Sequence, residues 1–291
     1  MKSNISVLSL LLVCLSIPAA AFDFGTLNLG KALDAVKKVR QATSEISEPQ
    51  EITLGQGIAS NLLGAAPLLK NQRVQEYVNK VGFWLSLHTE RPDLPWNFAV
   101  LEDDDVNAFA APGGYIFITK GLLMRMKNEA ELAGVLAHEM SHVLKKHHLQ
   151  AIKKSARTEL ISDFAEEAMD KNDANPALKK LVSAGTEVYA RGLDKGDEFE
   201  ADRMGVVIAA RGGYDPYGLP AVLQTLQGMN AKDSAVALMF KTHPALDDRL
   251  GLLDKLMSGS FDRFESQPDL APRFLAVLND GGRGSVSTQE E

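Results

Sequence analysis

The sequence predicts an α+β protein, mainly helical, with a small antiparallel or mixed sheet beside one long helix. Over residues 50–87, and again after residue 128, apolar residues recur every three or four positions, which is the spacing of amphipathic helices. Between residues 96 and 119 the pattern changes to short strands separated by turn residues. The 291 residues have ordinary apolar (45%) and charged (24%) fractions, so the chain can bury the core of one large domain.

The N-terminus has the layout of a cleavable export signal. Lys2 precedes an apolar stretch from Ile5 to Ile17, and small residues follow at 19–21. The stretch is shorter than the roughly 20 residues that a membrane-spanning helix needs, so a membrane-anchored form is the weaker interpretation. We expect residues 1–21 to be a signal peptide, cut after Ala21, and the protein to be periplasmic.

The only cysteine, Cys14, lies within this expected signal. A lipoprotein form would have to use Cys14, but Val13 stands where a small residue is usual, so that form is less favoured. Without Cys14 the mature protein has no thiol, and imidazole and carboxylate groups must hold any metal.

The charge balance argues against a nucleic-acid partner. The formal net charge is -7 and the pI is near 5.5, whereas phosphate binding needs a concentrated basic surface. We expect one short basic group to be a solvated helix face; its members are Lys145, Lys146, His147 and His148.

The first half of the chain predicts helices followed by a sheet. Residues 22–49 predict a loose N-terminal arm, and two helices over residues 50–87 are separated near Pro67. Strands are predicted at 96–101, 106–111 and 115–119. The turn before the third strand is made by Pro112, Gly113 and Gly114, because glycine tolerates positive φ.

A long helix is then predicted from Asn128 through His148. Asn128 can cap the free backbone amides, and Glu131 stands three residues later in the capping-box position. Residues 150–190 predict further helix with a break at Pro176, and we expect this segment to form a lid over a cleft. Another helix is predicted to contain residues 198–210.

The long helix contains the pattern HExxH, formed by His138, Glu139 and His142. Four residues on a helix advance by about 400°, so both imidazoles project from one face and can bind one ion. Glu139 is rotated by about 100° from His138, so it lies beside the metal and can take a proton from a water there. The pattern predicts hydrolysis with one Zn²⁺ per chain.

A third protein ligand is required, and its position distinguishes the types of zinc peptidase. The metzincin type is excluded, because Lys145 stands where that motif requires glycine. A thermolysin-like spacing would place a glutamate near residues 161 and 162, which are isoleucine and serine. The next good candidate is Glu198. Asp202 lies four residues further on the same face, where it can accept a hydrogen bond from a ligand histidine.

Four segments together resemble the zinc metallopeptidases related to the CAAX prenyl proteases, HtpX and BepA. They are residues 106–115, the helix from Glu129 to His142, Glu198 to Asp202, and Thr242-His243-Pro244. The resemblance implies the gluzincin fold, with His138, His142 and Glu198 as metal ligands, Glu139 as the base and Asp202 behind the ligands. The domain would then span residues 50–258, followed by a C-terminal tail at 259–291 with a disordered end.

The resemblance also places His243 near the metal, where three roles remain open. His243 could donate a hydrogen bond to the oxyanion, occupy the open metal position at rest, or only order the turn before Pro244. Peptidases of this type hold the substrate extended beside an edge strand, a role that the strand at 106–111 would fill.

These features predict an exported zinc metalloendopeptidase that takes part in protein quality control. Its expected substrates are unfolded or misassembled envelope proteins, with a possible peripheral contact to a membrane or an outer-membrane assembly. One alternative is a zinc-bound, chaperone-like binding protein with little proteolysis. It is less favoured, because structural zinc sites have four protein ligands and no use for Glu139. Another alternative is a metal-dependent hydrolase of a small ester or amide.

Overall fold

The computed structural model describes residues 46–163, 191–264 and 266–280, which all belong to one unit that begins at Glu45. The expected signal peptide at 1–21, most of the expected arm, residues 164–190 of the expected lid and the end of the tail lie outside the described residues.

The fold is mainly helical with one small sheet, so the predicted α+β class is confirmed. The strands are β1 (Asn97–Leu101), β2 (Ala108–Ala111) and β3 (Tyr115–Thr119). The helices among the described residues are α1 (Glu48–Ala65), α2 (Gln72–Ser86), α3 (Lys120–Leu123), α4 (Glu129–Leu144), α5 (His147–Asp163), α6 (Lys195–Arg211), α7 (Gly218–Gln227), α8 (Ser234–Thr242), α9 (Leu246–Met257) and α10 (Ala271–Asp280).

The sheet is mixed and has β2 at one edge. Its strand order is β1-β3-β2, with β3 parallel to β1 and antiparallel to β2. The β2–β3 hairpin turns at Gly113 and Gly114, whose φ angles of 78° and 99° favour glycine. The buried carboxylate of Glu51, on α1, accepts a hydrogen bond from the amide of Gly113 at 3.2 Å. This contact holds the hairpin against α1.

Helix α4 lies at the centre of the core. Its N-terminus is capped as the sequence predicts, because the Asn128 side chain accepts a hydrogen bond from the amide of Glu131 at 2.8 Å. Every residue of α4 from Glu129 to Val143 is buried, and the helix packs against β2, α6 and α7. A helix buried on all sides has little freedom to shift, so the side chains that it carries are held rigidly.

The prediction of one uninterrupted helix through His148 is wrong. Helix α4 ends at Leu144, and a new helix begins at His147. Lys146, between them, has a φ of 58°, a left-handed conformation that costs a non-glycine residue about 1 kcal/mol. No glycine or proline marks this break, and for that reason the periodicity of the sequence did not reveal it.

The packed part of the chain extends beyond residue 258. Helix α10 contacts α2 and α4, and its Phe274 is completely buried. Glu129, the first residue of α4, is buried and accepts hydrogen bonds from the hydroxyls of Tyr77 and Tyr214. It also forms an ion pair with Arg273 of α10. The carboxylate of Glu129 therefore joins α10 and α2 to the start of the central helix.

Within the part of the chain that the structure describes, none of the helices is both long enough and apolar enough to cross a membrane.

Replacement of Glu129 by alanine should lower the free energy of unfolding by about 2 to 4 kcal/mol, because two tyrosine hydroxyls lose their buried acceptor. The Arg273→Gln substitution should cost less, about 1 to 2 kcal/mol, since 57% of that side chain is exposed to water and the amide can still donate a hydrogen bond to the buried carboxylate. Urea denaturation of both variants measures the difference. Equal losses would contradict a central role for the Glu129 carboxylate.

Candidate metal centre

The approach of α6 to α4 brings two acidic side chains to the histidines of the motif. A Cβ on Gly205 would lie only 3.1 Å from the Cα of His138, so the two helices cross closely here. Glu198 and Asp202 precede Gly205 by seven and three residues and share its face of α6. Both carboxylates are thereby directed to the imidazoles, and both are buried.

Four side chains bring potential metal-ligand atoms to within 4.8 Å of one another: His138, His142, Glu198 and His243. The Nε2 atoms of His138 and His142 are 3.1 Å apart. The Glu198 carboxylate faces both rings, with Oε2 at 3.6 Å from Nε2 of His138 and Oε1 at 3.5 Å from Nε2 of His142. The three side chains that the sequence indicated as ligands thus lie together.

Asp202 and Arg249 lie behind His138. Oδ1 of Asp202 is 3.0 Å from Nδ1 of His138, on the side of the ring away from His142. Arg249, from α9, donates two hydrogen bonds of 2.7 Å to Asp202, and its Nη1 lies 2.9 Å from Oε2 of Glu198. Burial alone would raise the pKa of Asp202, but Arg249 and His138 outweigh it and lower that pKa.

Sequence reasoning missed Arg249. A signal was available, because Arg249 lies three residues after Leu246 and four before Leu253, on the apolar face of its helix. Arg249 is only 2% exposed, and a buried cation requires a buried acidic partner.

His243 follows α8 and completes the group of four. Its Nδ1 lies 3.1 Å from Oε2 of Glu198, and its Nε2 lies 3.9 Å from Oε1 of Glu139. Burial alone would raise the pKa of Glu198, but His243 and His138 outweigh it and hold that pKa well below its usual value. Glu198 is therefore an anionic donor at neutral pH.

Glu139 lies beside the group and outside it, as its rotation on the helix requires. Its side chain is buried, and its Oε2 has no hydrogen-bond partner among the described residues. Burial raises the pKa of Glu139, which makes its carboxylate a stronger base than a solvated one.

The donor set fits a divalent metal ion. The Nδ1 atoms of His138 and His142 each have a neighbour in the protein, at 3.0 Å in both cases. If each ring carries its proton on Nδ1, two Nε2 lone pairs face each other at 3.1 Å, an arrangement that a cation between them stabilises. Oε1 of Glu198, buried and without a hydrogen-bond partner among the described residues, can supply a further electron pair. Imidazole and carboxylate donors without thiolate match the ligands of catalytic zinc.

Three small cavities follow β2 past this group. The first is lined by Ala108 together with Glu139 and mostly apolar side chains, the second by Phe109 with Glu139 and His243, and the third by Ala110. The apolar residues of the first cavity include Leu122, Val135, Leu219, Val222, Leu223, Leu226 and Met239. The first two cavities therefore both place space beside the edge strand next to Glu139.

The prediction that residues 145–148 form a solvated helix face is wrong for its two histidines. His147 and His148 are 3% and 8% exposed, whereas the side chains of Lys145 and Lys146 are 41% and 42% exposed. The break at Lys146 lies directly before these two histidines and changes the direction of the chain there.

Comparison with known proteins gives one family match. The model described as Peptidase family M48 matches residues 68–257. That range contains all the residues described above as the metal group, together with Glu139, Asp202 and Arg249.

Similar proteins include the Beta-barrel assembly-enhancing protease of Escherichia coli (strain K12), which is 31% identical over 214 residues, 72% of this chain and 44% of that protein. The protein of the same name from Yersinia pestis is 31% identical over 250 residues, 84% of this chain and 51% of its own length. Mitochondrial metalloendopeptidase OMA1 of Arabidopsis thaliana is 29% identical over 161 residues, 55% of this chain and 31% of that protein. The chain spans about half the length of the first two relatives.

Substitution of Arg249 by methionine should lower the free energy of unfolding of the metal-free protein by about 3 to 5 kcal/mol, because two buried carboxylates lose their cation. The loss should be smaller when metal is bound, since the ion compensates Glu198. Urea denaturation with and without a chelator measures both values. The Arg211→Met substitution, at an exposed arginine that ends α6, is the matched control. Equal losses in the two variants would contradict this role of Arg249.

Proposed function

The chain belongs to Peptidase family M48, and from this premise we propose that it is a zinc-dependent metalloendopeptidase that cleaves unfolded or misassembled envelope proteins. The observation that carries the proposal is the position of Glu139. Its buried carboxylate lies beside two imidazoles and a carboxylate that converge on one point, the arrangement that metal-assisted hydrolysis of a peptide bond requires.

In this mechanism His138, His142 and Glu198 would hold Zn²⁺, and Asp202 would fix the His138 ring. The ion, when bound, supplies Lewis acidity that lowers the pKa of a water and polarises the scissile carbonyl. Glu139 takes the proton from the attacking water and later delivers it to the leaving amine. The environment of Glu139 supports both transfers, because burial raises its pKa towards the range of a working acid and base.

The space beside β2 supports a polypeptide substrate. An extended chain that lies along this edge strand would pass Glu139, which lines both of the first two cavities. The largely apolar lining of the first cavity favours an apolar substrate side chain next to the scissile bond. Unfolded proteins expose such side chains, whereas folded proteins bury them. A small polar ester or amide would leave this cavity unused.

The envelope location rests on the N-terminal sequence and on the relatives. Residues 1–21 have the composition of a signal peptide, and two relatives carry the name Beta-barrel assembly-enhancing protease. We therefore propose a periplasmic protein whose substrates include components of outer-membrane assembly. A peripheral membrane contact is part of the same proposal.

A chaperone-like role remains the second candidate because of His243. With this ring as a fourth donor, the group resembles a closed structural zinc site. Glu139 favours the enzyme, since a closed structural site has no use for a buried carboxylate beside it. The next two experiments separate these functions.

The Glu139→Gln substitution should reduce cleavage of casein by about 10² to 10⁴-fold, because the amide cannot accept the proton of the attacking water. The zinc content, measured by atomic emission, should stay at one ion per chain, since Glu139 lies outside the metal group. Removal of zinc from the wild type should abolish cleavage, and re-addition should restore it.

The control is Glu76→Gln, at an exposed glutamate on α2, which should cleave casein at the wild-type rate. Cleavage that persists after both the Glu139→Gln substitution and chelation of the metal would contradict the proposed mechanism. A wild type that holds zinc and binds unfolded clients without cutting them would establish the chaperone-like function.

The His243→Ala substitution should change kcat by at least tenfold, because the ring touches Glu198 and lies close to Glu139. A fall in kcat assigns the hydrogen bond to the oxyanion, and a rise assigns the ring to the open metal position at rest. Steady-state kinetics with an unfolded substrate measures this value. An unchanged kcat would mean that His243 only orders the turn before Pro244.

A further inference from the structure

His147 has no place in the mechanism above, although it is buried against one of the metal-ligand candidates. Its Nδ1 lies 3.0 Å from Nδ1 of His142, within hydrogen-bond distance. The two rings are inclined by 71°, with centroids 5.1 Å apart, so they meet edge to face and do not stack. The contact is therefore a directed hydrogen bond between two imidazoles.

Only one arrangement of protons lets His142 bind a metal through Nε2. A metal-binding Nε2 must offer its lone pair, so the proton of His142 must be on Nδ1. Nδ1 of His147 must then accept that hydrogen bond, which places the His147 proton on Nε2. The required form of each ring thus follows from the contact between them.

Two carboxylates at the other end of His147 match this arrangement. Nε2 of His147 lies 3.4 Å from Oε2 of Glu200 and 3.7 Å from Oδ1 of Asp197, both on α6. Carboxylates accept hydrogen bonds, so they favour the proton on Nε2 of His147. Lys145 pairs with the other oxygen of Glu200 at 3.1 Å and holds it in place.

The left-handed conformation of Lys146 makes this contact possible. On a continuous helix, residue 147 would be rotated from residue 142 by about 500°, or about 140° after one full turn, and would face away from it. The φ of 58° at Lys146 ends α4 and returns the His147 ring to the His142 side. The unfavourable backbone conformation of Lys146 thus occurs at the residue where it allows His147 to reach His142.

We propose that His147 is a positioning residue that holds His142 in its metal-binding tautomer and orientation, and that Glu200 and Asp197 fix the tautomer of His147 in turn. The inference rests on the proposed zinc site. His138 would be held by a carboxylate directly, and His142 by a carboxylate through a second imidazole. A neutral imidazole acceptor leaves less negative charge near His142 than a directly bonded aspartate would.

The test compares three replacements of His147 by their affinity for Zn²⁺, measured by competition with a chromogenic chelator. Asparagine places an amide oxygen where Nδ1 of His147 lies, so it can still accept the hydrogen bond from His142. Glutamine places its amide near the position of Nε2, and leucine offers no acceptor. We expect His147→Leu and His147→Gln to weaken zinc affinity by roughly 10 to 100-fold, and His147→Asn to stay within about threefold of the wild type.

The visible spectrum of the Co²⁺-loaded proteins is the second measurement, because it reports the ligand geometry directly. The leucine and glutamine variants should shift the cobalt bands, and the asparagine variant should retain them. The His88→Leu substitution, at a histidine outside the metal group whose ring contacts the backbone and the ring of Trp84, is the matched control and should change neither value. Thermal unfolding of the metal-free proteins establishes that each variant is folded, and an unfolded leucine variant leaves the asparagine and glutamine pair to decide.

Equal weakening by asparagine and leucine would overturn the proposal, since it would reduce His147 to a packing residue. Unchanged affinity and spectra in all three variants would overturn it as well. Failure of the proposed function would give a different result from both outcomes: the wild-type protein itself would not bind zinc. Zinc binding without proteolysis would leave the inference on His147 intact.

Discussion

The close crossing of α4 and α6 is the constraint on which the site depends. Gly205 lets the backbone of α6 approach His138, and the same face of α6 then presents Glu198 and Asp202 to the two imidazoles. A side chain at Gly205 would push the two helices apart by a few tenths of an ångström at the residue that carries the first imidazole. Because α4 is buried over its whole length to Val143, its side chains cannot adjust to such a shift.

Buried charged groups need partners of opposite charge or hydrogen-bond donors, and the buried carboxylates beside α4 have them. Glu198 and Asp202 share Arg249, while Glu129 at the other end of α4 is shared by Arg273 and two tyrosine hydroxyls. Each buried carboxylate thereby has hydrogen-bond or ion-pair partners, without which its burial would be costly. The result is a buried, rigid group of donors next to Glu139, whose raised pKa has burial as its largest cause.

The break between α4 and α5 affects the metal group, because it determines where the His147 side chain lies. The motif helix ends two residues after His142, and the break returns His147 to that ring, beside the carboxylates of α6. His138 and His142 are consequently held from behind by different groups, a carboxylate for one and an imidazole for the other. The metal group therefore depends on residues of α4, α5, α6 and the turn after α8, which only the tertiary fold brings together.

The sequence by itself determined the features that repeat locally: the α+β class, the three strands with their glycine turn, the capped helix that carries His138, Glu139 and His142, and the face shared by Glu198 and Asp202. These features can be read from the periodicity and the motif spacing of short stretches of sequence. The tertiary structure alone decided the pairing of Arg249 with two carboxylates, the contact of His147 with His142 and the packing of α10. Those contacts join residues far apart in the chain or depend on one strained φ. The apolar spacing around Arg249 indicates that its side chain is buried, but no periodicity identifies its partners.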